Sequence, residues 1–422
     1  MKLFTMFLIA TPISARAESI TECPTGIGRR NRWRTSPTQR HGGYIGKRNK
    51  TGDRGRSFVK PKNKIVALIF AFAFALGAGC MQAVDTNFPP PTPGDFVIHD
   101  FHFQSGETLP ELRIHYLTFG SPQRDASGKV RNAILILHGT TGNSAQFLRS
   151  EFANELYPKG QPFDVSRYYL IIPDNIGHGQ SSKPSDGLHA KFPRYGYLDM
   201  IEAQRRLLVD GLNVNHLRLV FGTSMGGMHA WLWGELHPDF MDALMPMGSL
   251  PAQISGRNRI WRRVVIDSIR GAPDWQNGDY QTQPYGLKTA AEELYLMGSN
   301  PAIQSRAMPT LEKADAVLNA YLASFLTNHD ANDVLYAVES SHDYDPAPGL
   351  EKITAPLLAI NSADDLINPP DQGILEREIK RVKQGRAIVL PETDQTVGHG
   401  SHTKAVLWKK YLVQFLKKTE PK

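Results

Sequence analysis

Three short stretches of this sequence carry residue types that together could run nucleophilic acyl chemistry. Gly222-Thr223-Ser224-Met225-Gly226 fits the pattern G-x-S-x-G and lies between a strand-like run, LRLVF, and a helix-like run, GMHAWLWGELHP. A serine on a tight strand-to-helix turn projects its hydroxyl from the edge of a sheet, and glycines beside it let neighbouring backbones pack against that turn. The helix start behind it favours developing negative charge. Further on, Ala363-Asp364-Asp365-Leu366-Ile367-Asn368-Pro369-Pro370 follows the apolar run PLLAINS, and Thr396-Val397-Gly398-His399-Gly400-Ser401-His402 follows AIVLPE. Serine, carboxylate and histidine are the parts of a proton relay that activates a hydroxyl.

In such a relay His399 takes the proton from Ser224 and returns it to the leaving group, while a carboxylate fixes the imidazole tautomer and stabilises its cation. Asp365 is the preferred carboxylate and Asp364 remains the alternative. His402 is the rival base, but its place at a helix start reads more simply as capping. Two backbone donors must face the reacting carbonyl oxygen. The residue after the nucleophile, Met225, supplies one, and the loop Leu137-His138-Gly139-Thr140-Thr141-Gly142 supplies the other, with Thr140 as the donor and His138-Gly139 as the turn that aims it. Asp174 and His178 read as shaping a nearby loop, and His229 and His237 as packing or capping residues.

The only cysteines are Cys23 and Cys80, so a thiol nucleophile or cysteine metal site after residue 80 is excluded. No H-E-x-x-H and no dinucleotide fingerprint occurs, and neither metal nor cofactor is expected. The formal charge of +7 is concentrated at one end: residues 1–64 hold 15 of the 48 Lys and Arg but 3 of the 41 Asp and Glu. The remainder is mildly acidic, which argues against nucleic acid as a partner. The expected partner is a small acyl substrate.

These residues need a scaffold. Short β-rich runs at 96, 111, 132, 167, 217, 242, 356 and 387 alternate with helical patterns, which predicts an α/β sheet covered by helices. The first two runs read as antiparallel edge strands, the rest as mostly parallel. The stretch between the runs at 242 and 356 far exceeds an ordinary connection, so a helical lid is expected over about 250–345. GLKTAAEELYLMG and ADAVLNAYLASFL carry its helical periodicity. Residues 84–95, with the Pro-rich NFPPPTPGD, read as a linker, and 96–422 as the catalytic domain.

Residues 1–83 read as a leader. Ile65 to Cys80 is an apolar run preceded by Lys60, Lys62 and Lys64, matching a signal peptide and too short for a membrane span. Cleavage before Cys80 would give a lipid-anchored protein, and ordinary cleavage near Ala83 fits equally well. The first 17 residues, ending Ala15-Arg16-Ala17, also resemble a signal peptide. Two leaders in tandem suggest translation from a GTG codon near Val59, with a disordered basic extension as the alternative. The expected location is exported, periplasmic or secreted, and cytoplasmic if the leader does not function.

FPRYGYLDMIEAQRRLL, GTSMGGMHAWLWGELHPDFMDALMP, NRIWRRVVIDSIRGAPDWQNGDYQTQPYGL, DANDVLYAVESSHDYD and SADDLINPP resemble the α/β-hydrolase superfamily, within it the homoserine O-acetyltransferase branch, over most of residues 96–415. The resemblance implies the α/β-hydrolase fold and a triad of Ser224, Asp365 and His399, and acetyl transfer from acetyl-coenzyme A to an amino-acid hydroxyl. The chain departs from that branch at Thr223, where glycine is usual, at Gly400, where aspartate is usual, and at Asn328-His329, where Arg-Phe is usual. An acceptor carboxylate would need a cation, for which Arg257, Arg259, Arg262 and Arg263 are the lid candidates. The functional expectation is acyl transfer through an acyl-enzyme, with water as main acceptor and hydrolysis of an ester or related acyl compound. The alternatives are a homoserine O-acetyltransferase-like enzyme and, least favoured because every triad position is filled, a catalytically silent binding protein.

Overall fold

The computed structural model describes residues 87–421. The leader, its cleavage points at Cys80 or Ala83 and the start near Val59 lie outside the described residues. The chain opens with two long strands, β1 (Thr92–His102) and β2 (Thr108–Phe119), paired antiparallel. β1 begins inside the Pro-rich stretch. Pro93 pairs with Leu117 there, and an edge strand tolerates a residue that has no N–H to donate.

Short buried strands and helices then alternate: β3 (Ala133–Leu137), α1 (Ser150–Leu156), β4 (Tyr169–Pro173), α2 (Tyr197–Arg206), β5 (Leu219–Thr223), α3 (Met225–Leu236) and β6 (Leu244–Met247). Five helices follow before the sheet resumes: α4 (Gly256–Arg270), α5 (Tyr285–Gly298), α6 (Pro301–Ala307), α7 (Leu311–Asn328) and α8 (Ala331–Glu339). The chain closes with β7 (Leu357–Ser362), α9 (Ile374–Glu378), β8 (Gly385–Leu390) and α10 (Ala405–Lys418). The strand order is β1-β2-β4-β3-β5-β6-β7-β8, and every pairing from β4 to β8 is parallel.

Continuous apolar runs form the central strands because both faces of the sheet are covered. Side chains alternate between the two cores. Leu135 and Leu137 of β3 and Val220 of β5 join one core with α2, α3 and the cap helices. Ile134 and Ile136 of β3 and Phe221 of β5 join the other, with Phe152 of α1 and Trp408 of α10. Trp408 lies 5.4 Å from Phe221 and 5.9 Å from Phe152, ring centre to ring centre. Burying a large apolar side chain contributes about 1.5–3 kcal/mol. The layer behind the sheet thus anchors the central strands, whose carboxyl ends carry the chemistry. Among the described residues no helix is long and apolar enough to cross a membrane.

Candidate active site

β5 runs straight into α3 through Ser224, with φ 55° and ψ −115°. A non-glycine residue held there costs on the order of 1–3 kcal/mol and persists only where surroundings over-determine it. Here they do. Ser224 N donates to Met247 O at 2.8 Å, Met228 N donates to Ser224 O at 2.9 Å, and Gly226 N donates to His138 O at 2.9 Å. A Cβ on Gly222 would stand 1.9 Å from Gly226 O, and one on Gly226 would stand 2.0 Å from Leu137 O. Only glycine lets the turn, β3 and α3 close on one another.

His399 brings the remaining parts to this hydroxyl. Its Nε2 lies 2.8 Å from Ser224 Oγ and its Nδ1 lies 2.8 Å from Asp365 Oδ2. The other Asp365 oxygen accepts from Ile367 N at 2.8 Å and Asn368 N at 3.0 Å. Asn368 in turn donates through Nδ2 to Gly248 O at 2.8 Å, tying the acid loop to the end of β6. Burial pushes the Asp365 carboxyl up, but the facing His399 and the two backbone amides outweigh it, leaving the group below its ordinary range and ionised.

Asp364 points elsewhere. One oxygen accepts from the Ser362 hydroxyl, and the other accepts from Asn300 Nδ2 at 2.6 Å and Gly398 N at 2.8 Å. It therefore clamps the acid loop, the base loop and the start of α6. Gly398 takes φ +66° with Ser299 C and O only 3.0 Å from where its Cβ would be, so the cap packs directly on the residue before His399.

His402 does not cap α10. That helix begins at Ala405 after Lys404, with no side-chain cap, whereas His402 lies in the preceding turn beside His399, ring centres 4.9 Å apart. The turn carries it inward, because the His399–Thr403 segment coils as a tight 3-10 turn before the α-helix starts.

The loop after β3 passes beside the nucleophile: a Cβ on Gly139 would stand 3.9 Å from Ser224 Oγ. The Thr140 N–H belongs to the Gly139–Thr140 peptide, whose carbonyl oxygen accepts from His138 Nδ1 at 2.8 Å and Gly142 N at 2.9 Å. His138 Nε2 accepts from Asn175 N at 3.0 Å, which puts the ring proton on Nδ1. Burial, then His178, push its pKa down to about 4, so it stays neutral. Two donors on one carbonyl fix the peptide plane and with it the direction of the trans N–H. His178 Nε2 holds the next carbonyl, that of Thr140, at 2.7 Å. Asp174 accepts from Ser144 N at 2.6 Å and Gln180 N at 2.8 Å, bracing the same loops. Met225 N opens α3 immediately after the nucleophile.

Several contributors had no local signature. Gln146 donates to Thr223 Oγ1 at 3.1 Å and accepts from Gly139 N at 3.4 Å, so the threonine in the elbow is joined to the loop after β3. Asn300 and Asn368 clamp loops from a distance. His229 and His237 stay out of the site; His229 is fully enclosed against Gln204 and Tyr197 and its pKa falls well below the ordinary value through burial.

Ser224 and His399 open into a cavity of about 770 Å³, roofed by Trp261 and Arg262 of α4, Leu294 of α5, and Tyr321 and Phe325 of α7. Of the four lid arginines, Arg263 is paired with Asp267 at 2.9 Å, and Arg257 meets Met297 Sδ at 3.6 Å. Arg262 is the one that lines the cavity. It is 2% exposed, donates to Asn258 Oδ1 at 3.1 Å and Ser341 Oγ at 3.0 Å, and lies over the Trp261 ring at 4.5 Å. Asn328 and His329 also face the cavity, with His329 stacked on Phe325 at 3.9 Å. Among the described residues no three His, Cys, Asp or Glu side chains cluster as a metal site.

The model of the alpha/beta hydrolase fold family matches residues 132–403. A probable acyltransferase of Methanothermobacter thermautotrophicus is 30% identical over 279 residues, covering 65% of this chain and 83% of that protein. The homoserine O-acetyltransferase of Moorella thermoacetica is 28% identical over 346 residues, covering 71% of this chain and 88% of that protein. Among solved structures, esterase E22 superposes with a TM-score of 0.68 at 19% identity, covering 78% of this chain and all (100%) of that one. Homoserine O-acetyltransferase from Bacillus anthracis superposes with 0.68 at 21%, covering 77% and 97%. The eight-stranded sheet, the strained serine at its centre and these matches lead to one conclusion: the chain belongs to the alpha/beta hydrolase fold family, in its homoserine O-acetyltransferase-like branch, and is an acyl-transfer enzyme of that fold.

Proposed function

We propose that this protein is a serine acyl hydrolase that forms an acyl-enzyme on Ser224 and releases it to water. The observation that carries the reading is the unbroken hydrogen-bonded line Asp365–His399–Ser224, with both links at 2.8 Å. Ser224 Oγ attacks the substrate carbonyl as its proton passes to His399 Nε2. Asp365 keeps the other ring nitrogen protonated and stabilises the imidazolium. The carbonyl oxygen, becoming negative, is received by the Thr140 and Met225 amides, each such donor being worth roughly 3–4 kcal/mol. The imidazolium protonates the departing alcohol, and water repeats the sequence on the acyl-enzyme.

Water is favoured as acceptor because the chain departs from the acetyltransferase pattern at Thr223, Gly400 and Asn328-His329, and because the expected export leader would remove it from coenzyme A. The second reading, transfer to an amino-acid hydroxyl, is favoured by Arg262: a buried guanidinium on the cavity wall suits a carboxylate. Incubation with a fluorophosphonate probe tests the nucleophile. Wild type should be labelled and Ser224→Ala should not, with turnover falling very roughly a millionfold. Labelling that survives Ser224→Ala would assign the nucleophile elsewhere. Acyl release that requires homoserine would restore the transferase.

A further inference from the structure

His402 is a half-buried titratable group that the relay does not use, and its placement gives it a task. It lines the same cavity as Ser224 and His399. Its Nδ1 is enclosed without a hydrogen-bond partner, 3.3 Å from where a Cβ on Gly248 would lie. Gly248 has φ +59°, and a side chain there would also come within 3.3 Å of His399 Cε1, so the two rings share one glycine-made slot. With Nδ1 shut in, Nε2 is the polar atom His402 can present to the cavity.

We propose that His402 positions the acyl acceptor and selects water over alcohols, keeping its proton on Nδ1 and a lone pair on Nε2 toward the space beside His399. This rests on the acyl-hydrolase reading above. The backbone group acting on the ring is the His399 carbonyl, an acceptor. Burial and the neighbouring His399 push the His402 pKa down to about 3, so the ring stays neutral while His399 cycles through its cation.

The chemistry then discriminates. The water oxygen bonds to the acyl carbon of the Ser224 ester while one of its protons passes to His399 Nε2. The second hydrogen stays on that oxygen and is held by the His402 lone pair. The tetrahedral intermediate collapses by breaking the bond from carbon to Ser224 Oγ, which recovers the proton from His399, and a carboxylic acid leaves. An alcohol has one hydrogen, and His399 must take it. The His402 lone pair would then face the alcohol oxygen's own lone pairs, with nothing to bond.

The test is pre-steady-state cleavage of p-nitrophenyl acetate by the full chain, alone and with added methanol, for wild type, His402→Phe and His402→Gln. Acylation, read from the nitrophenolate burst, should change less than about threefold, because Asp365, His399 and Ser224 are untouched. Deacylation to water should slow about 10- to 100-fold in His402→Phe, with methyl ester taking a larger share of product. His402→Gln, whose carbonyl can accept the hydrogen, should recover part of the hydrolysis. Equal losses of burst and deacylation rates in both variants would make His402 merely structural and overturn the proposal. So would a water-to-methanol ratio unchanged from wild type. A wild-type protein that shows no burst and no labelling at Ser224 would overturn the hydrolase reading itself.

Discussion

The two walls of the cavity around Ser224 are held in place by different means. On the sheet side the groups sit on turns at the ends of β3, β5, β6, β7 and β8, and main-chain contacts fix them: glycines that admit no Cβ, carbonyls that accept two donors, a carboxylate gripped by two backbone amides. On the cap side Trp261, Arg262, Tyr321 and Phe325 project from helices, and of α7 only Leu322 and Phe325 are buried. A wall made of backbone has little freedom to vary, whereas one made of side chains can change residue by residue while its helices persist. Reaction type belongs to the first wall, which also carries His402, and the choice of acyl group to the second.

The sharpest way to break this contrast is Gly226→Ala. A methyl group 2.0 Å from Leu137 O forces β3 and α3 apart, and the loss of stability should reach about 3 kcal/mol or more, readable as a lowered thermal midpoint with loss of labelling at Ser224. A midpoint within a degree or two of wild type would show that the elbow is not held by backbone contact.

The adjacent aspartates test the same wall more finely. Asp365→Asn should leave His399 in the wrong tautomer and lower turnover on the order of ten-thousandfold, with little change in thermal midpoint. Asp364→Asn should have the opposite profile, since its oxygen serves Asn300 and Gly398: a clear drop in midpoint and a turnover loss of about 10- to 100-fold through a loosened base loop. Reversed kinetic losses would move the acid to Asp364.

The smallest effect is expected at Asp333 of α8, where the cap helices meet the rest of the fold. Burial raises its carboxyl pKa to about 6 despite two hydrogen bonds from Ser185. The folded state then binds this proton more tightly than the unfolded chain, so the group's contribution to stability falls as pH rises from about 4 to about 6. Asp333→Asn should therefore gain stability relative to wild type over that interval, by no more than about 3 kcal/mol, and level off above it. Denaturant titrations at pH 4, 5, 6 and 7 would show it; a constant difference between the two proteins would mean that Asp333 does not titrate there.

Sequence by itself determined the parts whose signals are local. Alternating buried runs specify the sheet, because a strand covered on both faces must be apolar throughout, as β3 and β5 are. Glycines around Ser224 specify the elbow, because a close backbone approach excludes a Cβ. The long interval before β7 specifies an inserted cap. What the tertiary structure decided are choices between neighbours with the same chemistry. Asp364 and Asp365 differ by one position, and only the turn after β7 aims one carboxylate at His399 and the other at Asn300 and Gly398. His399 and His402 share a loop, and only the fold brings His399 to a hydroxyl 175 positions earlier in the chain. Gln146, Asn300 and Arg262 carry no periodicity or motif, since what each does depends on a partner far away in sequence. A local pattern records which face of an element is buried; which distant atom a polar side chain will meet is fixed only when the elements pack.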